Sequence, residues 1–154
     1  MKILVLHGPN LNLLGRREPE IYGQLDLAAL DAALHRCAAG LGAQIEAVQS
    51  NHEGVLIDAV HGAAGRCDGV LINPGGLTHS SVSLRDALLG VGLPFVEVHL
   101  SNVYAREPFR HVSLFRDIAL GVVLGFGAES YILGLRGLVS ALRARQGDAA
   151  PAPR

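Results

Sequence analysis

The chain has 154 residues, of which 18% are charged, and its formal net charge is −1. That length suits one domain with a sizeable core, and so small a net charge argues against a surface for nucleic acid or anionic membranes. Apolar residues make up 49% of the chain, yet no apolar run reaches the roughly 18 residues that a membrane-spanning helix needs.

Strand and helix patterns alternate along the chain. It opens with the continuous apolar run Lys2 to Leu6, which is typical of a parallel strand buried on both faces, and a long loop is expected from His7. Asp26 and Asn51 stand where the N-caps of the first two helices are expected. The predicted strands are 2–6, 43–49, 69–73, 95–99 and 121–127, and the predicted helices are 27–39, 53–64, 82–89 and 129–145.

This alternation predicts an α/β fold, with a parallel five-stranded sheet, right-handed crossovers and helices on both faces. We expect a flavodoxin-like three-layer sandwich with strand order 2-1-3-4-5. Residues 1–145 are expected to form this single domain. The tail, residues 146–154, is too poor in large apolar side chains to be expected to order itself.

Unusual polar residues follow the first, third and fourth predicted strands. Because the carboxyl ends of parallel strands meet at one edge, where open α/β sheets bind ligands, these three loops are expected to converge. Convergence of separate loops predicts a functional site better than any single residue does. The loops carry Asn10, Arg17 and Tyr22; then Asn73 and His79; then His99, Ser101 and Arg110.

Glu97 and His99 end the fourth predicted strand. Side chains alternate between the two faces of a strand, so this carboxylate and this imidazole project from the same face. The pairing predicts an acid–base couple at the edge of the sheet. The alternative is a histidine that is salt-bridged to a glutamate in the core.

Several kinds of site lack their motifs. The first loop has neither GxxxxGK[ST] nor the acidic cluster of a phosphoacceptor domain, and the glycines of GVVLGFG do not form GxGxxG. A metal site built from His79, Glu97 and His99 is chemically possible, but no HExxH or similar spacing supports it. Lys2 is the only lysine and starts the first strand, at the end away from the expected site, so no lysine is available for a Schiff base.

The cysteine usage indicates a reducing compartment. Cys37 and Cys67 have no metal-binding spacing and are typical of the reduced thiols of a cytoplasmic protein. The first residues are those of a strand rather than of a signal peptide. We therefore expect a cytoplasmic location.

Four long blocks carry a resemblance to a known family. They are GPNLNLLGRREPEIYG, QSNHEGVLIDAVH, INPGGLTHSSVSLRDAL and EVHLSNVYAREPFRHVS, and the similarity extends from about Lys2 to Leu142. Together they resemble the type II 3-dehydroquinate dehydratases. The resemblance implies a flavodoxin-like fold and the reversible anti-elimination of water from 3-dehydroquinate through an enolate, without cofactor or metal, in the shikimate pathway. It also implies a homododecamer built of four trimers.

The resemblance further implies a role for individual residues. Tyr22 matches the family's catalytic base, which lies in a mobile loop, and Arg17 matches the arginine that lowers the pKa of that tyrosine. His99 matches the general acid, oriented by Glu97. Asn10 matches the asparagine that is associated with stabilisation of the enolate.

Other matching positions belong to substrate binding. Asp86 matches an aspartate that reaches the site of a neighbouring subunit in the family's trimer. The expected substrate-binding residues are Asn73, His79 and Arg110, together with Leu100 and Ser101, which act largely through backbone N–H groups.

One departure from the family pattern is the segment 114–116, Leu-Phe-Arg, where the family often has Tyr and Ser.

Two alternatives of other classes remain open at this point. One is a flavodoxin-like binding or sensor domain that holds a small polyhydroxy acid without turnover. The presence of both a candidate base, Tyr22 with Arg17, and a candidate acid, His99 with Glu97, argues against it, because binding alone needs neither. The other is a metal-assisted hydrolase, which exhaustive chelation would inactivate.

Overall fold

The computed structural model of the chain describes residues 1–16 and 25–148. Strands and helices alternate in it as the sequence predicts. The strands are β1 (Lys2–His7), β2 (Gln44–Gln49), β3 (Gly69–Asn73), β4 (Phe95–His99) and β5 (Gly121–Leu124). The helices are α1 (Leu27–Gly40), α2 (Glu53–Ala63), α3 (Val82–Val91) and α4 (Glu129–Asp148).

The five strands form one parallel sheet in the order β2-β1-β3-β4-β5. The predicted α/β fold and strand order are confirmed. The register of β1 and β3 pairs His7 with Asn73 at their carboxyl ends. The order of the strands therefore brings the ends of β1, β3 and β4 next to one another.

Alternation along β1 separates the two core layers. Ile3 and Val5 pack with α1 and α4, whereas Leu4 and Leu6 pack with α2 and α3. All four side chains are buried, and burial of such a side chain contributes about 1.5–3 kcal/mol. Within the described ranges, no helix combines the length and the apolarity that crossing a bilayer requires.

Two helices begin at side-chain caps. Asp26 Oδ1 accepts the backbone N–H of Ala29 at 2.8 Å before α1, as predicted, and Ser81 caps α3. The predicted cap at Asn51 is wrong, because α2 begins after His52 without a side-chain cap. Asn51 Oδ1 instead accepts the backbone N–H of Asn10 at 2.9 Å and so ties the first loop to the end of β2.

Seven boundaries of the described elements differ from the prediction, and those of β2, α1, α2 and α3 shift by only one or two residues. β5 ends at Leu124 rather than at residue 127, because Gly125 adopts a φ of 92° that a strand does not accommodate. β1 includes His7, which pairs with β3 instead of opening the loop. α4 continues to Asp148, three residues beyond the predicted end at Arg145.

The close approach of the chain after β1 to the end of β3 depends on Gly8. A Cβ atom on Gly8 would lie 2.4 Å from the carbonyl oxygen of Pro74 and 2.9 Å from that of Asn73, and both oxygens belong to backbone. We therefore expect Gly8→Ala to lower the free energy of unfolding by about 1–3 kcal/mol, as overpacking does in other cores. Urea unfolding followed by circular dichroism measures this change.

Gly62→Ala is the matched control. Gly62 lies within α2, and nothing stands within 4 Å of a Cβ added there. Alanine is favoured over glycine inside a helix by about 1 kcal/mol, so this variant should be at least as stable as the parent. Equal losses in the two variants would contradict the role assigned to Gly8.

Candidate active site

A pocket of about 350 Å³ opens at the carboxyl edge of the sheet. Its walls come from the loop after β1, the end of β3 with the 3-10 turn Gly75–His79, and the end of β4 with the turn Pro108–Arg110. The convergence of the three loops is thus observed for their described parts. The predicted site residues that line the pocket are Asn10, Asn73, His79, His99, Leu100, Ser101 and Arg110.

Glu97 and His99 form an acid–base pair on one face of β4. His99 Nε2 lies 2.8 Å from Glu97 Oε1, as the period of the strand predicts. The Glu97 side chain is fully buried, whereas that of His99 retains 9% of its exposure and lines the pocket. The imidazole therefore stands between the buried carboxylate and the cavity.

Two hydroxyl groups hold the carboxylate of Glu97. The Ser113 hydroxyl lies 2.9 and 2.8 Å from its two oxygens, and the Thr78 hydroxyl lies 3.3 Å from Oε1. Ser113 Oγ also accepts the backbone N–H groups of Phe115 and Arg116 at 3.0 and 3.1 Å. With its acceptor sites occupied by these donors, Ser113 has its own hydrogen to give to Glu97.

The directions of these hydrogen bonds determine which ring nitrogen of His99 faces Glu97 with a hydrogen. The carboxylate of Glu97 can only accept hydrogen bonds, so His99 Nε2 must carry a hydrogen. Nδ1 is then the ring atom that can exchange a proton with a bound molecule. The pair can accordingly deliver a proton from Nδ1 while Glu97 stabilises the imidazolium form.

Three polar side chains around the cavity are held by the protein itself. His79 Nδ1 donates to the backbone carbonyl of Val112 at 2.6 Å, and Arg110 Nε donates to Glu107 at 2.7 Å. Asn73, which is buried, accepts the backbone N–H of Gly75 through Oδ1 at 3.1 Å. A pocket with preset donors of this kind suits an anion or a polyhydroxylated molecule.

Asn10 occupies an unusual backbone position at the rim. Its φ of 70° lies in the left-handed region, which asparagine tolerates better than most residues. Its N–H is held by Asn51, and the Gln49 amide also donates to Asn51 and to the carbonyl of Gly8. The loop after β1 is thereby fixed where it meets the cavity.

Two predicted residues do not line the cavity in the described structure. Glu97 lies behind His99, and Asp86 is exposed on α3. Arg85, the neighbour of Asp86 on α3, binds Asp117 through two contacts of 2.5 and 2.8 Å, and this hydrogen bonding lowers the pKa of Asp117. Arg17 and Tyr22 lie outside the described residues.

Sequence reasoning missed part of the support of Glu97. Ser113 was not singled out, although it closes the Arg-His-Val-Ser element that begins at Arg110. Neither Thr78 nor Arg106, which lines the pocket, was placed among the site residues. Across residues 1–16 and 25–148, no group of three or more His, Cys, Asp or Glu side chains is arranged to hold a metal ion.

Comparisons with known proteins agree with this architecture. A family model described as "Dehydroquinase class II" matches residues 1–139. The chain is 59% identical over 145 residues to the 3-dehydroquinate dehydratase of Gloeobacter violaceus. The aligned part covers 94% of this chain and 91% of that protein. It is 57% identical over 129 residues to the catabolic 3-dehydroquinase 1 of Aspergillus terreus, which covers 84% and 85% of the two chains.

Solved structures share the fold. The crystal structure of the type II dehydroquinase from Butyrivibrio crossotus matches with a TM-score of 0.86 and 43% identity, and the match covers 90% of this chain and 97% of that one. The resemblance noted in the sequence is confirmed by these matches. With a family model that covers 139 residues and relatives of such identity, the chain belongs to the class II dehydroquinase family.

Proposed function

We propose that the chain is a type II 3-dehydroquinate dehydratase, which removes water reversibly from 3-dehydroquinate to give 3-dehydroshikimate. The observation that carries this proposal is the buried Glu97–His99 pair facing a pocket with preset donors. Family membership supports the substrate and the reaction. The reaction belongs to the shikimate pathway, in which aromatic amino acids are made.

The first step of the proposed reaction removes a proton next to the ketone and leaves an enolate. Tyr22 is the proposed base. The pKa of a free tyrosine is about 10, so a tyrosine that acts as a base near neutral pH needs about 4 kcal/mol of differential stabilisation of its phenolate. A guanidinium within roughly 4–6 Å can provide it, and Arg17 is the proposed source, since arginine does not itself lose its proton.

The second step expels the hydroxyl group. The enolate oxygen re-forms the ketone, the electron pair of the enolate C=C bond forms the new C=C bond as the C–O bond breaks, and the leaving oxygen takes a proton from His99 to depart as water. Glu97 stabilises the imidazolium before this transfer. Asn10 is a neutral donor at the rim and can stabilise the enolate oxygen through a water molecule without adding a second base.

The remaining pocket residues are proposed to bind the parts of the substrate that do not react. The carboxylate fits Asn73 and the backbone N–H groups of Leu100 and Ser101, which follow β4 directly. Arg110 and His79 suit the ring hydroxyls. Both of these side chains are tied to neighbouring groups, so the positions of their remaining polar atoms are set before binding.

One assay tests the proposal. Purified protein mixed with 3-dehydroquinate should produce the ultraviolet absorbance of a conjugated enone, and prior treatment with excess EDTA should leave the rate unchanged. Binding without an absorbance change would favour a sensor domain. Activity lost to the chelator and restored by a divalent ion would favour metal-assisted chemistry.

The assembly and location are also proposed. A homododecamer of four trimers follows the family, and an exposed face of α3 supports a subunit boundary there. Val82, Asp86 and Leu89 are spaced at i, i+4 and i+7, and all three are exposed, so apolar side chains flank the carboxylate on one face. Free Cys37 and Cys67 are consistent with the cytoplasm.

We expect Asp86→Ala to lower activity and weaken the trimer together, because the carboxylate is proposed to complete the site of a neighbouring subunit. Light scattering coupled to size-exclusion chromatography gives the assembly, and the enone assay gives the rate. Asp58→Ala is the matched control, since Asp58 is an exposed aspartate on α2. A fully active monomer at low micromolar concentration would contradict both the proposed assembly and the proposed role of Asp86 in a neighbouring site.

A further inference from the structure

The hydroxyl of Ser113 contacts both oxygens of the Glu97 carboxylate. It lies 2.9 Å from Oε1 and 2.8 Å from Oε2, and so stands at nearly equal distance from the two. In the described structure Ser113 does not line the pocket where the substrate is proposed to bind. Any effect of this hydroxyl on the reaction must therefore pass through Glu97 and His99.

The carboxyl group of a glutamate needs contacts to fix its orientation. Rotation about the last side-chain bond has broad minima, so β4 alone does not decide where the two oxygens point. His99 and Thr78 both contact Oε1 of Glu97, at 2.8 and 3.3 Å, whereas Ser113 is the only described residue that donates to Oε2. Without Ser113, one oxygen of a fully buried carboxylate would lack a partner, which is costly.

A small cavity of about 50 Å³ gives this carboxylate space to turn. Its walls include Glu97, His99 and Ser113, together with the two arginines Arg110 and Arg116. Guanidinium groups bind carboxylates strongly, so they are alternative partners for an oxygen that has lost its donor. A hydroxyl that holds both oxygens prevents this exchange of partners and keeps Oε1 beside the imidazole.

Ser113 is in turn held in its own position. Its oxygen accepts two backbone N–H groups, which leaves its single hydrogen for the carboxylate. The carbonyl of Val112 accepts from His79 Nδ1 at 2.6 Å, and the N–H of Leu114 donates to the carbonyl of Thr78 at 2.8 Å. The residues before and after Ser113 are thus both tied to the turn that follows β3, so the position of the hydroxyl is set by the fold.

We propose that Ser113 is a positioning residue, which keeps the carboxylate of Glu97 turned toward His99 while the imidazole gives its proton to the leaving hydroxyl group. This inference rests on the proposed function, because that function supplies the leaving group. Proton donation acts in the transition state and not in the binding of the substrate. Loss of the serine hydroxyl should therefore lower kcat and leave KM nearly unchanged.

Ser113→Ala is the direct test, because it removes only the hydroxyl group. We expect kcat for 3-dehydroquinate to fall about tenfold, with KM within about threefold of the parent. Ser113→Thr restores a hydroxyl at the same position and should recover kcat to within about threefold. Ser113→Cys supplies a thiol, which is a weak donor, so it should lose kcat as alanine does. It carries the test if Ser113→Ala does not fold.

Ser81→Ala is the matched control for the structural part of the change. The Ser81 hydroxyl donates to the carboxylate of Glu53 and accepts the backbone N–H of Leu84 at 2.9 Å, so it makes the same two kinds of hydrogen bond as Ser113. Its loss should lower the urea midpoint of unfolding and leave kcat near that of the parent. The enone assay and urea unfolding are applied to every variant.

The outcomes separate this inference from the proposed function. If the parent does not convert 3-dehydroquinate, the proposed function fails and the inference fails with it. If the parent is active and Ser113→Ala keeps its kcat, the inference alone fails. A rise in KM without a fall in kcat, an equal fall in kcat in Ser81→Ala, or a Ser113→Thr variant no faster than Ser113→Ala would also overturn it.

Discussion

His99→Ala is expected to fold and to lose turnover by about 10²- to 10⁴-fold, the contribution of a positioned general acid. His99 stands between the buried Glu97 and the pocket and has one ring nitrogen for the leaving group. The fold should survive because Ser113 and Thr78 still donate to Glu97. Steady-state kinetics with the enone assay and a circular dichroism spectrum measure the two effects.

The control for this variant is His61→Ala, which removes an exposed imidazole from α2. It should retain the rate of the parent. Near-normal turnover in His99→Ala would assign His99 to the core instead of the chemistry. Loss of cooperative unfolding would also favour that structural role.

Tyr22→Phe is expected to abolish measurable turnover while the dissociation constant of 3-dehydroquinate stays within about tenfold. The substitution removes only the phenol oxygen, which is the proposed proton acceptor, and keeps the aromatic ring. A general base contributes about 10²- to 10⁴-fold, comparable to the effect expected at His99. Isothermal titration with the inactive variant measures binding apart from turnover.

Tyr104→Phe makes the same chemical change at an exposed tyrosine and is the control. It should leave both the rate and the affinity near those of the parent. Turnover of Tyr22→Phe close to that of the parent would remove Tyr22 as the base. The proton acceptor would then have to be sought elsewhere in the site.

The strands and their order could be predicted from the sequence because their signals are local. Apolar runs bounded by Gly, Pro and Asn mark strands wherever the chain folds. The end of β5 could not be predicted, since GVVLGFG is apolar throughout and only the backbone turn at Gly125 stops the strand. The end of α4 was placed too early because residues 146–148 include no apolar side chain that would mark a further helical turn.

The acid–base pair could be predicted for the same reason, because Glu97 and His99 are two residues apart on one strand. The groups that hold the pair, and the contacts of His7 with Asp31 and Tyr131, could not. Ser113 lies 16 residues from Glu97, and Tyr131 lies 124 residues from His7. On its helix Tyr131 has the pattern of an ordinary core aromatic residue, and only the folded sheet brings its hydroxyl to His7.

The position of Lys2 has a practical consequence for handling the protein. Its ammonium pairs with Glu46 at 2.8 Å at the amino end of β1, whereas the pocket opens at the carboxyl end. Since it is the only side-chain amine in the sequence, reagents that acylate lysine have one side-chain target, remote from the pocket. A dye or a solid support attached through Lys2 would leave each pocket accessible.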